Sequence, residues 1–259
     1  MKTKILLSLM LSVLFLTAKA DGPHNESLSY DIMFKWGLIN KNAGNVTLDT
    51  KLGNDGTFSS VLVGKSAKWA DKFYTVRDTL MGTVVIDGFK PVYYEKISHE
   101  GGEFKRDIIN YQRSGNTVTG NCDRYKQKKA GQPIVYSQNL LSANGYTVDM
   151  LSSFYYMRYL DYTNMKPGDS VTMNIFSGSK KEILHITYQG QQTVSINETT
   201  SRNCYAITFS FTSEKNGKVK TSDDLYAWIS TDSSRVPVKM QGKLPIGTVQ
   251  AFLTNYVEQ

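Results

Sequence analysis

Apolar residues take every second position through much of this chain. Leu28, Tyr30, Ile32, Phe34 and Trp36 share one parity, with Ser29, Asp31 and Lys35 between them. Period-two alternation sets one side of a strand in a core and the other in water. Residues 40–44 (Asn-Lys-Asn-Ala-Gly) predict a turn, and 46–52 a returning partner strand. Gly53-Asn54-Asp55-Gly56 is a second tight-turn signal, followed by a strand over 58–63. The rhythm resumes at 92–98, 104–111 and 117–124, broken by Gly101-Gly102 and Ser114-Gly115-Asn116. It returns at 171–176, 183–188, 193–196, 204–211, 225–230, 236–241 and 247–256, and Asn216-Gly217 is placed for a hairpin. So many short strands predict a mainly β fold built on antiparallel sheet.

Two segments break the pattern. Residues 146–160 carry Val148, Leu151, Tyr155 and Tyr159 at helical spacing, with Met150, Phe154 and Met157 beside them. Thr147 is the expected cap and Pro167-Gly168 ends the region. Residues 66–80 form a weaker helix candidate through Ala67, Ala70, Tyr74 and Arg77.

The first residues read as an address. A basic start, an apolar run over 5–16 and Ala18-Lys19-Ala20 before Asp21 give the three parts of a secretory signal. The run is shorter than the ~20 residues that cross a hydrocarbon core, so residues 1–20 are expected to be cleaved. That leaves 21–259 as a single β-rich domain with no transmembrane segment, exported and periplasmic or secreted. Net charge is +7 for the whole chain, or +4 once leader residues Lys2, Lys4 and Lys19 are gone. Lys126, Lys128 and Lys129 make the one tight basic cluster, too little for a nucleic-acid surface. Cys122 and Cys204 are both predicted in strands and belong to no metal or redox motif. A disulfide and two buried thiols both remain open for them.

The order of segments resembles the bacterial exported proteins grouped as domain of unknown function family 3108. The matching pieces are Tyr30 to Gly37 leading to Ala43-Gly44, Tyr74 to Asp78, and Lys90-Pro91-Val92-Tyr93-Tyr94. They continue with Tyr156-Met157-Arg158, Tyr226 to Asp232, Arg235-Val236-Pro237-Val238 and residues 247–253. The resemblance implies an envelope protein, periplasmic, in a Gram-negative bacterium of the gut-commensal type. It also implies a long curved antiparallel sheet, or an open or half β-barrel, with one or two helices packed on it. No activity and no functional residue come with it.

Catalytic chemistry finds little to use. His24, His99 and His185 sit in no nucleophile or metal-ligand context. Asp78, Asp87, Asp223, Asp224 and Asp232 read as turn aspartates rather than a glycosidase pair. No catalytic residue, cofactor or metal is expected. Arg158, among apolar helix neighbours, needs a partner: a structural carboxylate such as Asp78 or Asp107, or a bound anion. Tyr93, Tyr94, Phe154, Tyr155, Arg158 and Tyr159 are the candidate lining of a groove, because tyrosine pairs a rigid apolar body with a polar tip. The expected function is therefore a non-enzymatic binding protein for a lipid-like or other amphiphilic ligand. The alternative is a structural or assembly protein that meets other envelope proteins, with a glycan-directed hydrolase last.

Overall fold

A computed structural model describes residues 22–196, 200–215 and 217–259; the expected leader and Asn216 of the Asn-Gly turn lie outside them. The first half holds β1 (Glu26–Trp36), β2 (Ile39–Leu52), β3 (Thr57–Ser66), β4 (Val76–Val85), β5 (Lys90–Glu100), β6 (Glu103–Ser114), β7 (Thr117–Gln127) and β8 (Val135–Asn144). A two-residue β9 (Thr147–Val148) leads into the helix α1 (Met150–Arg158). The second half holds β10 (Ser170–Ser177), β11 (Lys180–Ser195), β12 (Ser201–Lys215), β13 (Lys218–Thr221), β14 (Leu225–Ser230), β15 (Pro237–Lys243) and β16 (Thr248–Glu258).

These strands form one sheet. Its row runs from β8 back to β1, then β16, β15, β14, β12, β11, β10 and β9, with β13 paired to β12 off the row. All pairs are antiparallel except β9 with β10. The row curls until its far parts meet and the sheet becomes a nearly closed barrel: Phe176 of β10 stacks on Tyr111 of β6, ring centroids 5.8 Å apart. Gly120 of β7 lies under that contact. A Cβ there would fall 2.8 Å from Ile109 Cγ2 and 2.9 Å from Phe176 Cδ2. Gly120→Ala is expected to cost about 1–3 kcal/mol through overpacking, seen as a lower urea midpoint. An unchanged midpoint would mean the seam repacks freely.

Alternation places the core as expected over much of the sheet. Leu28 and Tyr30 of β1, Ile109 and Tyr111 of β6, Val118 and Cys122 of β7, and Leu184 and Ile186 of β11 all point inward and are buried. α1 lies inside the barrel, which is why its apolar residues surround it rather than form one stripe. Cys122 and Cys204 are both free thiols buried in separate clusters.

Several expectations change. Trp36 does not continue the buried face; it is exposed at the end of β1. The turn falls at Gly37-Leu38, not at 40–44, and those residues belong to β2, where Ala43 is an unmatched bulge between Met33–Asn42 and Ile32–Gly44. Residues 66–80 are not a helix: a 3-10 turn over Ala70–Lys72 crosses between strands and β4 begins at Val76. The main helix starts at Met150, since Thr147 and Val148 instead pair with Asn174 and Ile175 of β10. The expected strands at 183–188 and 193–196 are one strand, β11, bent by a register shift at 188–190. β8 was unforeseen. β12 and β13 do pair across the Asn-Gly segment, with Lys215 opposite Lys218.

Candidate functional site

The helix entry builds the interior. Asp149 Oδ1 accepts from Ser152 N at 2.7 Å, and Asp149 N donates to Ser152 Oγ at 2.8 Å, a reciprocal cap. Asp149, not Thr147, is thus the cap; Thr147 Oγ1 donates to Gly145 O at 3.1 Å. Asp149 is fully buried, and burial pushes its pKa up to about 6 against the lowering pull of the Ser152 bonds. Its Oδ2 and the hydroxyls of Tyr94 and Tyr111 are buried without a hydrogen-bond partner.

At the far end of α1, Arg158 is sealed between the helix and the sheet. Its Nη2 donates to Glu26 Oε2 at 2.9 Å, and Nη1 holds Oε1 of the same carboxylate. Nε and Nη2 also donate to the carbonyls of Arg235 and Ser234, each at 3.0 Å. Rings of Phe154, Tyr155 and Tyr159 lie 5.4–5.7 Å from the guanidinium carbon. The structural ion pair is present, but its carboxylate is Glu26. Asp78 instead bonds Lys96 at 3.2 Å, and Asp107 takes a forked bond from Arg124 at 2.6 and 2.7 Å.

Of the six candidate groove residues, the fold gathers five. Tyr94, Tyr155 and Arg158 are fully buried, with Phe154 and Tyr159 packed beside them. Their polar atoms are largely committed to the protein: Ser60 Oγ donates to Tyr155 OH at 3.0 Å, and Tyr159 OH donates to Gly22 O at 2.7 Å. Phe58 meets Tyr155 at 4.5 Å and Phe89 stacks on Tyr159 at 5.6 Å. Tyr93 stands on the opposite face of β5, where its hydroxyl donates to Glu95. The space between helix and sheet is filled by these side chains.

Asp78, His24 and His185 are likewise occupied. Asp78 lies within β4 rather than at a turn; Lys96 reaches both it and Glu100, each at 3.2 Å. Burial pushes the Asp78 pKa up, while Glu100 is held below the usual range by its bonds to Asp78 and Lys96 against burial. His24 is held at both ring nitrogens: Nε2 meets Tyr256 OH at 2.8 Å and Nδ1 meets Gly22 O at 3.0 Å. His185 meets Thr212 Oγ1 at 3.0 Å. Among the described residues no three metal-ligating side chains converge.

Open space lies at the rim. A concavity of about 390 Å³ sits at the turn from β7 to β8, lined by Arg124, Lys126, Lys128, Pro133, Val135 and Ser137, with Gln132. Register explains the grouping: Arg124 faces Ser137, Lys126 faces Val135, and Arg124 also opposes inward-pointing Asp107, so these side chains share the concave face. Lys126 pairs with Glu103 at 3.0 Å, whereas Lys128 has no carboxylate within 4 Å among the described residues. β8 pairs only with β7 and ends the row, leaving Val135, Tyr136 and Leu140 exposed. A second concavity, about 300 Å³, marks the polar face around Ser29, Asp31, Asn45 and Lys65. The Lys126–Lys129 cluster was the sequence signal for the rim, but without β8 its concave setting was invisible.

The geometry can be set beside known proteins. The sequence profile of a family described as protein of unknown function (DUF3108) matches residues 29–254. Among solved structures, a β-barrel-like protein of domain of unknown function DUF1849 from Brucella abortus superimposes with a TM-score of 0.61. It is 10% identical, and the match covers 91% of this chain and 98% of that one. A protein of YmcC-like fold, inferred to be exported, from Bacteroides fragilis NCTC 9343 reaches 0.37 at 8% identity, covering 93% and 100%. No curated protein matches in sequence.

Proposed function

The chain belongs to the DUF3108 family of proteins of unknown function, and from the rim geometry we propose that it is a non-enzymatic binding protein of the cell envelope, exported to the periplasm, for an acidic amphiphile. The observation that carries this reading is the concavity at the β7–β8 rim, which sets Arg124, Lys126 and Lys128 against apolar Pro133 and Val135. Cations on a partly apolar wall suit a ligand with an anionic head and a greasy body. The ligand sits there rather than beside α1, whose surroundings are already filled. Export is supported by the basic, apolar and Ala-x-Ala parts of residues 1–20. Among the described residues no helix is long and apolar enough to cross a membrane.

Native mass spectrometry of the processed chain, purified without detergent, tests the proposal. A reproducible small extra mass is expected, lost in organic solvent and reduced roughly tenfold in occupancy by Lys126→Ser with Lys128→Ser. A bare mass, or an adduct indifferent to both lysines, would defeat it. A second reading has its own observation: β8 pairs on one side only, with β7, and ends the row, although its last residue Asn144 accepts a bond from Asn174 of β10. An extended segment of another envelope protein could add to it as a further strand, and would appear in the same spectrum as a protein-sized adduct.

A further inference from the structure

Sheet directions collect an unusual set of side chains at one end of the barrel. There β1 turns into β2, β3 leaves for β4, and β15 turns into β16. The two hairpin tips touch: Lys35 opposes Thr248, and a Cβ on Gly247 would lie 3.1 Å from Trp36 Cβ. The β3–β4 crossing joins them, as Trp69 Nε1 donates to Asn42 O at 2.6 Å and Ala67 N to Ala43 O at 2.8 Å. Phe73 then meets Trp69 edge-on at 6.3 Å.

What this end shows to solvent is apolar. Leu38 is fully exposed, Phe73 83%, Ile246 61% and Trp36 53%, with Ile39 and Leu244 beside them. These are projecting tips, not the walls of a groove. The three segments 33–44, 65–75 and 239–248 contain seven lysines and one aspartate, while the β5–β6 turn beside the crossing adds Glu100 and Glu103, which Lys96, Lys105 and Lys126 pair. That aspartate, Asp71, is already held by Arg77 at 2.7 Å.

We propose that this end docks on an anionic lipid bilayer, with Trp36, Leu38 and Ile246 entering the headgroup region and the lysines lying on the lipid phosphates. Separate protruding apolar side chains suit a soft interface, where each inserts alone, better than a preformed protein surface. Tryptophan favours the headgroup level, and lysines extend along the boundary towards anionic groups. The β7–β8 concavity lies at the same end but further along the row of strands, and the tips do not depend on a ligand there.

Cosedimentation of the processed protein with vesicles tests the surface. With phosphatidylethanolamine and phosphatidylglycerol at about three to one in about 0.1 M NaCl, most of the protein should sediment, and about 0.5 M NaCl should release much of it. Leu38→Ser with Ile246→Ser, both at exposed turns, should lower the partition about tenfold or more with an unchanged circular dichroism spectrum. Lys126→Ser with Lys128→Ser, which empties the rim in the ligand test, should leave the partition within about twofold. Wild-type protein that stays in the supernatant, or a serine pair at the tips that sediments normally, would overturn the proposal. So would a rim pair that alone abolishes binding.

Discussion

Glu26→Ala is expected to destabilise the protein by about 3–5 kcal/mol, the largest effect of any single substitution considered. The change removes a carboxylate but leaves the guanidinium of Arg158 sealed with two carbonyls and three aromatic rings. An uncompensated buried charge carries a penalty of about that size, and arginine cannot escape it by losing its proton. Three separate parts of the chain would slacken together: β1, α1 and the 231–236 turn. Urea unfolding measures the loss. Arg158→Met combined with Glu26→Leu should cost clearly less than the two single changes added, because charge and counter-charge leave together. Additive costs would mean that the two side chains act independently, against the geometry.

Asp149 supplies the second effect, and its sign follows from where the proton is held. Burial raises its folded pKa to about 6, against an ordinary value of 3.8. Between those values the folded state binds more protons than the unfolded chain, so stability falls as pH rises. The penalty is absent below about pH 4 and complete above about pH 6; a shift of about two units corresponds to about 3 kcal/mol. Asp149→Asn keeps an acceptor oxygen for Ser152 N but cannot ionise. Relative to the parent, the variant should gain stability steadily from about pH 4 to about pH 6 and then hold a constant advantage. A difference that does not change with pH would remove Asp149 as the titrating group.

Much of the sheet was legible because alternation survives wherever one face is buried. Leu28 and Tyr30, or Ile109 and Tyr111, announce their side by parity. β8 has no such contrast: residues 135–140 are exposed on both faces, so no period appears. The 66–80 segment misled because Ala67, Ala70, Tyr74 and Arg77 fall at helical spacing in a crossing that forms one 3-10 turn. α1 was visible, but its start was not, since Thr147 and Val148 find an edge on β10 that no local signal reveals. Tyr93 and Tyr94 are adjacent in a strand and must face opposite ways, so only one of the two can face the interior. Glu26 as partner of Arg158 lay 132 residues away, beyond any local pattern.

The position of β1 in the row sets the order in which the molecule can be completed. Its neighbours are β2, next in the chain, and β16, the last strand. Strands β1 to β8 can zip up one after another as they emerge, each against its predecessor. The second edge of β1 must wait for the final eleven-residue strand, and such distant pairings close slowly. A chain emerging residue by residue therefore carries an unfinished sheet until β16 is out. Loss of those residues would leave the first strand open along its whole length.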